Sequence, residues 1–327
     1  MFTLILAASF WSGAHVNAFD IEAQGVEYIP FVETIDPVIT SPEPHTYLSS
    51  DDMPASFDWR NINGTNYCGK VLDQKNPNVC GSCWAHAVTG ALTDRYKIAT
   101  NNLFNAHLAP QNLINFNMRV TGGTCEGGDH LKANQFIYQY GITDDTCMPY
   151  AGVNWKHGFK VAGMTEVEDV QAHMCHGCSW GSECGFLDRS TYNIYGVQEY
   201  GWVRGEEQML AEIYARGPIS CTINSHPSEF SDYQGGIITC NKPGEACHGI
   251  LTHLIIITGW GVDAATGLKY WTGRNSYGTS WGEGMGGGMF RLERGANTLQ
   301  IESGVCGWSV PRQEDVDHIM LQYRESL

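Results

Sequence analysis

Twelve cysteines constrain this chain more than any other feature, because they begin only at Cys68 and continue to Cys306. Cysteines in that number predict a disulfide framework, and 43% hydrophobic types in 327 residues predict a large core as well. A small scaffold held by disulfides alone is excluded. What remains is one large domain, or two lobes sharing a core.

A disulfide framework needs an oxidising compartment. The first 18 residues agree, being without Asp, Glu, Lys or Arg, apolar from Phe2 to Trp11, and ending Val16-Asn17-Ala18, so 1–18 reads as a removed signal peptide. A membrane anchor fails on length, since about 20 apolar residues are needed to span. Asn63-Gly64-Thr65 forms a glycosylation sequon. The expected location is the secretory pathway, ending in a lysosome-like acidic vesicle or outside the cell.

The net charge of -16 is unevenly placed: residues 1–52 hold eight acids and no Lys or Arg, leaving 27 acids against 19 bases beyond them. An acidic chain of this kind is a poor partner for nucleic acid. Pro30, Pro37, Pro42 and Pro44 interrupt any helix in 19–52, so that stretch reads as a short extended pro-segment. At about Met53 the composition changes, and Phe57-Asp58-Trp59-Arg60 opens a segment dense in aromatics and glycines. The main domain is therefore placed at 53–327, with a helical lobe mainly over 60–200, a β lobe mainly over 201–311 and a C-terminal extension over 312–327.

From Ser82, the apolar positions Trp84, Ala87, Val88, Ala91 and Leu92 follow helical spacing. Further helices are predicted over Gln111–Phe116, His130–Tyr140 and Glu206–Ala215. The segments Leu254–Thr258 and Tyr270–Thr272 have the β-branched and aromatic bias of buried strands, with turn residues Ala264 to Gly267 between them. Helices first and strands later predict an α+β fold in two lobes. Neither metal-finger spacing nor a phosphate-binding glycine loop occurs, so no metal or cofactor is expected.

Cys83 stands at the start of the first of these helices. Unsatisfied N–H groups and the positive dipole end at a helix start stabilise a thiolate, the reactive form of cysteine. By cysteine count alone, the reading of Cys83 as one more disulfide half is favoured. His253 and Asn275 could supply a general base and its orienting amide. His86 competes for the base, because it lies three positions past Cys83 on one helix, and spacing does not exclude it.

The run Cys80-Gly81-Ser82-Cys83-Trp84-Ala85 resembles the nucleophile motif of papain-like cysteine peptidases. The likeness continues in family order through Cys125-Glu126-Gly127-Gly128, Gly217-Pro218-Ile219-Ser220, Thr252-His253, Gly259-Trp260-Gly261 and Arg274-Asn275-Ser276-Tyr277-Gly278. It implies the two-lobed papain fold, a cleft between the lobes, and a peptidase using no cofactor on peptide or protein substrates. By position it makes Cys83 the nucleophile, His253 the base, Asn275 the group that orients the imidazole, and Gln74 with the Cys83 backbone the oxyanion hole. Gly127 and Gly128 match backbone that pairs with an extended substrate, and Trp281 matches an aromatic beside the site. Tyr277 stands where the family has a tryptophan over the His–Asn bond, so a smaller ring and more water are expected there.

Within the family, Cys83-Trp84-Ala85-His86-Ala87, Phe57-Asp58-Trp59-Arg60-Asn61 and Ala211-Glu212-Ile213-Tyr214-Ala215 are similar to the cathepsin X (cathepsin Z) subfamily. That likeness explains why Gln74 precedes Cys83 by nine positions: the subfamily carries a short inserted loop that narrows the primed side of the cleft. Its loop presents a histidine to the substrate's terminal carboxylate, and here Lys75 holds that place. The implied activity is a carboxypeptidase removing single C-terminal residues. An endopeptidase or dipeptidyl peptidase follows if the loop stays clear of the primed sites, and a catalytically silent binding homologue is the alternative from another class. The resemblance pairs Cys80 with Cys125, Cys147 with Cys175, Cys178 with Cys184, and Cys221 with Cys306. Cys240 with Cys247 is the easiest remaining closure, leaving Cys68 outside the framework. A disulfide between the pro-segment and the nucleophile, found in the subfamily, is excluded here, because 1–52 contains no cysteine. A monomer without stable membrane insertion is expected.

Overall fold

The computed structural model describes residues 35–116, 123–154, 170–178, 184–241, 244, 246–283 and 287–326. The expected signal peptide, residues 19–34 of the pro-segment and most of the 155–172 loop lie outside these.

Helix α1 (Cys83–Ala99) is buried on every side from Cys83 to Tyr96. A helix buried all round must satisfy its polar side chains internally. Thr89 and Thr93 do so by donating to the carbonyls of Ala85 at 2.8 Å and Thr89 at 2.7 Å. Arg95 donates to Glu212 at 2.8 Å and to the carbonyl of Pro218, also at 2.8 Å. Against α1 pack α2 (Pro110–Asn115) and α3 (His130–Tyr140). Asp129 caps α3 by accepting from the N–H groups of Leu131 and Lys132, and Gly141 ends it at φ 77°.

The second lobe is an antiparallel sheet with a helix, α4 (Gly205–Arg216), packed on it. Its strands are β1 (Phe57–Asp58), β6 (Val197–Val203), β7 (Ile219–Ile223), β8 (His253–Val262), β9 (Lys269–Arg274), β10 (Met289–Glu293) and β11 (Cys306–Pro311). They pair in the order β10-β9-β8-β7-β11-β6, with β1 added to β8. The strands described form an open path, so the lobe is barrel-like without closing by hydrogen bonds. Two-stranded ribbons β2 (Gly123–Thr124) with β3 (Gly127–Gly128), and β4 (His176–Cys178) with β5 (Cys184–Phe186), sit in the first lobe. Gly259 explains one sequence motif directly: a Cβ there would meet the Phe57 carbonyl oxygen at 2.2 Å, where β1 crosses β8. Each lobe has its own apolar core, as the two-lobed α+β expectation requires.

Residues 35–41 pack on the far edge of this sheet, and the turns at Pro44–Thr46 and Ser50–Asp52 lie on α4. Val38 bridges Tyr200 on β6, Ile35 enters the helical core, and the Glu199 carboxylate accepts from the backbone N–H groups of Thr40 at 2.7 Å and Ser41 at 2.9 Å. Two strands separate β6 from β8, so the 38–41 contacts lie away from His253. The C-terminal extension is largely a helix, α5 (Gln313–Glu325), anchored by Val316. Among the described residues no helix is long and apolar enough to cross a membrane.

Candidate active site

The site assembles where the start of α1 meets the start of β8. Cys83 is the first residue of α1, and Ser82 before it makes no side-chain cap bond. The Ser82 hydroxyl instead lies 2.8 Å from that of Tyr150. The amide dipoles at the start of α1 therefore converge on the Cys83 position without a competing side-chain cap. Cys83 is fully buried and lies outside every disulfide.

His253 opens β8, opposite Ile223 on β7. Its Nε2 lies 2.8 Å from Asn275 Oδ1, which also accepts the backbone N–H of Ser276 at 2.8 Å. The backbone donor fixes the amide orientation, since only oxygen can accept from it. Nε2 of His253 is then the donor, and Nδ1 is the basic nitrogen of the neutral ring. The pair is shielded by aromatics: Tyr277 lies tilted at 4.9 Å from the imidazole and Phe230 stands edge-on at 5.8 Å. Trp281 packs on Phe230 and Tyr277 and donates its Nε1–H to the Ser231 carbonyl at 3.0 Å. Tyr277 thus covers the imidazole despite its smaller ring.

Gln74 is fully buried beside the start of α1. Its side-chain Nε2 donates to the Cys80 carbonyl at 3.0 Å, its Oε1 accepts from Ser276 Oγ at 2.7 Å, and its backbone N–H donates to the Ser276 carbonyl at 2.8 Å. The Tyr150 hydroxyl donates to the Gln74 carbonyl at 2.7 Å. Ser276 and Tyr150 are the residues that sequence reasoning did not single out. Ser276 sits inside a quoted motif and could have been found there; Tyr150 carries no local signal.

Residues 75–79 are all exposed, Val79 to 82%. Lys75 is nevertheless placed: its N–H donates to Asp73 Oδ1 at 2.9 Å, and its Nζ lies 4.0 Å from the centroid of the Tyr277 ring, a cation–π contact. Asn78 ties the far side of the loop to the Ala151 carbonyl at 2.9 Å.

His86, the competing histidine, turns back on its own helix. Its Nδ1 lies 2.9 Å from the Ser82 carbonyl and its ring stands edge-on to Tyr150 at 4.6 Å. Gly127 (φ 117°) and Gly128 pair with β2 and are buried. A Cβ on Gly128 would meet Trp84 at 2.6 Å, so packing inside the lobe already demands glycine there. Asn63 is exposed, at φ 52° in the turn closed by Ile62 and Thr65.

Disulfides join Cys80 to Cys125, Cys147 to Cys175, Cys221 to Cys306 and Cys240 to Cys247. Cys184 is also disulfide-bonded, and the side chain of Cys178 lies outside the described residues. Cys68 lies outside the framework. Burial first, and then the Asp94 carboxylate, push its thiol well above the ordinary range.

A helical lobe and an antiparallel sheet lobe that bring a helix-start cysteine, a His–Asn pair and a buried glutamine together define a two-lobed thiol hydrolase. Residues 53–308 match the papain family cysteine protease domain. The chain is 36% identical over 269 residues to cathepsin Z of Onchocerca volvulus, covering 80% of this chain and 79% of that one. It is 29% identical over 266 residues to cathepsin B-like cysteine proteinase 6 of Caenorhabditis elegans, covering 78% and 66%. Among solved structures, proCathepsin B S9 from Trypanosoma congolense shares the fold with a TM-score of 0.63 at 20% identity, over 93% of this chain and 92% of that one. This chain belongs to the papain family and is a cysteine peptidase acting on peptide substrates.

Proposed function

We propose that the chain is a carboxypeptidase that removes single C-terminal residues through Cys83, His253 and Asn275. The observation that carries the specificity is the stack of Lys75 on Tyr277 and Tyr277 on His253. In a carboxypeptidase substrate the terminal carboxylate is borne by the first carbon beyond the leaving nitrogen. A cation that anchors it must therefore stand just past the imidazole, and Lys75 stands one ring beyond it. Its ammonium receives the carboxylate as a charge-assisted partner.

The chemistry is acyl transfer. Cys83 gives its proton to His253 Nδ1 and attacks the scissile carbonyl carbon. Gln74 Nε2 and the Cys83 N–H hold the oxyanion that forms, and the clamp of Ser276, Cys80 and Tyr150 on Gln74 keeps that donor in place before the reaction begins. The C–N bond breaks as His253 returns the proton to the leaving amine. Water then attacks the thioester, with His253 as base, releasing the shortened peptide and restoring the thiol. Asn275 holds the imidazole so that Nδ1 faces the sulfur. Gly127 and Gly128 line the unprimed side and Trp281 the primed side. The same reading takes 1–18 as a signal peptide, 19–52 as a pro-segment, Asn63 as a glycan site and the secretory pathway as the location.

Matched peptides with free and amidated C-termini test it. The free acid is expected to be cleaved at its last bond far faster than the amide. Equal turnover would make the enzyme an endopeptidase or dipeptidyl peptidase, and no turnover of either, without labelling of Cys83 by a thiol-directed epoxide, would make it a silent homologue.

A further inference from the structure

Between the middle of α1 and the start of β8 the two lobes leave a cavity of about 20 Å³, lined by Ala87, Gly90, His107, Leu254 and Asn275 among others. A space of that size holds one water molecule if polar partners are present. Among the lining side chains, Asn275 Nδ2 and His107 Nε2 are buried polar atoms without a hydrogen-bond partner among the described residues.

These two atoms are complementary through water and through nothing smaller. Asn275 Oδ1 is committed to His253 and to the Ser276 N–H, so Nδ2 is the donor end of the amide. His107 Nδ1 faces the Leu108 carbonyl at 3.0 Å and must carry the ring hydrogen, which leaves Nε2 an acceptor. Burial keeps that ring neutral, pushing it down to about 3. The other cationic groups on the lining are engaged elsewhere: Lys70 on Asp145, and Arg274 on Asp94 and the Gly69 carbonyl. A donor and an acceptor that line one cavity without bonding each other are matched by an intermediary that can accept from the first and donate to the second.

We infer that a single buried water accepts from Asn275 Nδ2–H and donates to His107 Nε2, which makes His107 a positioning residue for Asn275 and, through it, for His253. The inference rests on the reading of Cys83, His253 and Asn275 as the reacting set. His107 touches no reacting atom. It holds the far end of the amide whose near end orients the imidazole.

The test combines a high-resolution crystal structure of the mature enzyme with two substitutions. Ordered density within hydrogen-bond reach of both Asn275 Nδ2 and His107 Nε2 is expected, and a dry cavity overturns the inference. His107→Leu, of similar bulk but without an acceptor, is expected to lower kcat about tenfold with KM unchanged, the cost of one lost supporting hydrogen bond. His107→Gln, which keeps an acceptor, is expected to recover most of that loss. Wild-type kcat in His107→Leu, or equal loss in both variants, would reduce His107 to packing. If His107→Leu does not fold, the electron density of the unsubstituted enzyme decides. His253→Ala serves as the separate control: if it stays active, the reading of the reacting set fails, whatever the cavity holds.

Discussion

The two ends of α1 put the same side chain to opposite uses. At the front, Cys83 is fully buried at the helix start, with Gln74 bonded to Cys80 just before it and, through Ser276, joined to the His253–Asn275 pair. At the rear, Cys68 is also buried, at 7% exposure, but it lies beside Asp94, which is paired with Arg274 at 2.9 Å and accepts the Gly69 N–H at 2.6 Å. Both thiols are out of water, so burial does not separate them. The charge each one faces does: the amide dipoles of the helix start favour a thiolate at the front, while a neighbouring carboxylate opposes it at the rear. The rear is built for cohesion. Arg95 and Glu212, each 1% exposed, are joined at 2.8 Å, and Arg216 extends the network to Glu199.

The contrast can be broken in three places. Cys83→Ala is expected to lower kcat/KM on the order of 10⁶-fold, the scale of a nucleophile deletion in a serine peptidase. Cys68→Ser is expected to keep activity within about twofold, and a comparable loss in both would erase the distinction between the ends. Glu212→Ala leaves the buried Arg95 guanidinium without its carboxylate, at an expected cost of about 3–5 kcal/mol in urea unfolding. A loss under about 1 kcal/mol would show that the rear network adds little.

Acid probes the neutral histidines behind the site. Burial pushes His107 down to about 3 and His130 down to about 4, so both stay uncharged in the fold while the unfolded chain takes up protons below about 6.5. The unfolded state binds more protons in that window. Stability is therefore full above about pH 6.5 and falls as pH drops toward 4, by up to about 1.4 kcal/mol per pH unit for each histidine. Urea midpoints measured from pH 7.5 to 4 should show this slope, and His130→Gln should flatten it. A flat wild-type profile contradicts it. The exposed loop offers a milder test than the nucleophile: Lys75→Ala is expected to raise KM for free-carboxylate peptides about tenfold and to leave amidated ones unchanged, the scale of one charge-assisted bond near solvent. Equal shifts for both substrates would remove Lys75 from recognition.

Much of this architecture was legible in the chain. α1, α3 and β8 fall where periodicity and β-branched runs place them, and α3 matches its predicted bounds of His130 and Tyr140. β6 and β11 were not legible, because Gly201 and Gly307 dilute their strand pattern, and they are strands by virtue of pairing with each other. The C-terminal helix was also missed. Its largely polar sequence buries little, and its anchor comes from elsewhere: Asp315 accepts from the Gly196 N–H at 2.7 Å and from the Tyr96 hydroxyl at 2.9 Å.

By itself the sequence determined the chemistry on offer: a cysteine at a helix start, a histidine opening a strand, an amide to orient it, and an odd thiol outside a disulfide framework. These are legible because helix starts and strand runs are written in neighbouring residues. Only the tertiary structure decided which groups meet. Gln74 reaches Ser276 across 202 positions, Lys75 settles on Tyr277, His86 turns back to Ser82, and Asp94 comes to stand beside Cys68. Such meetings depend on how distant segments pack, and packing is a property of the assembled core that no local pattern encodes.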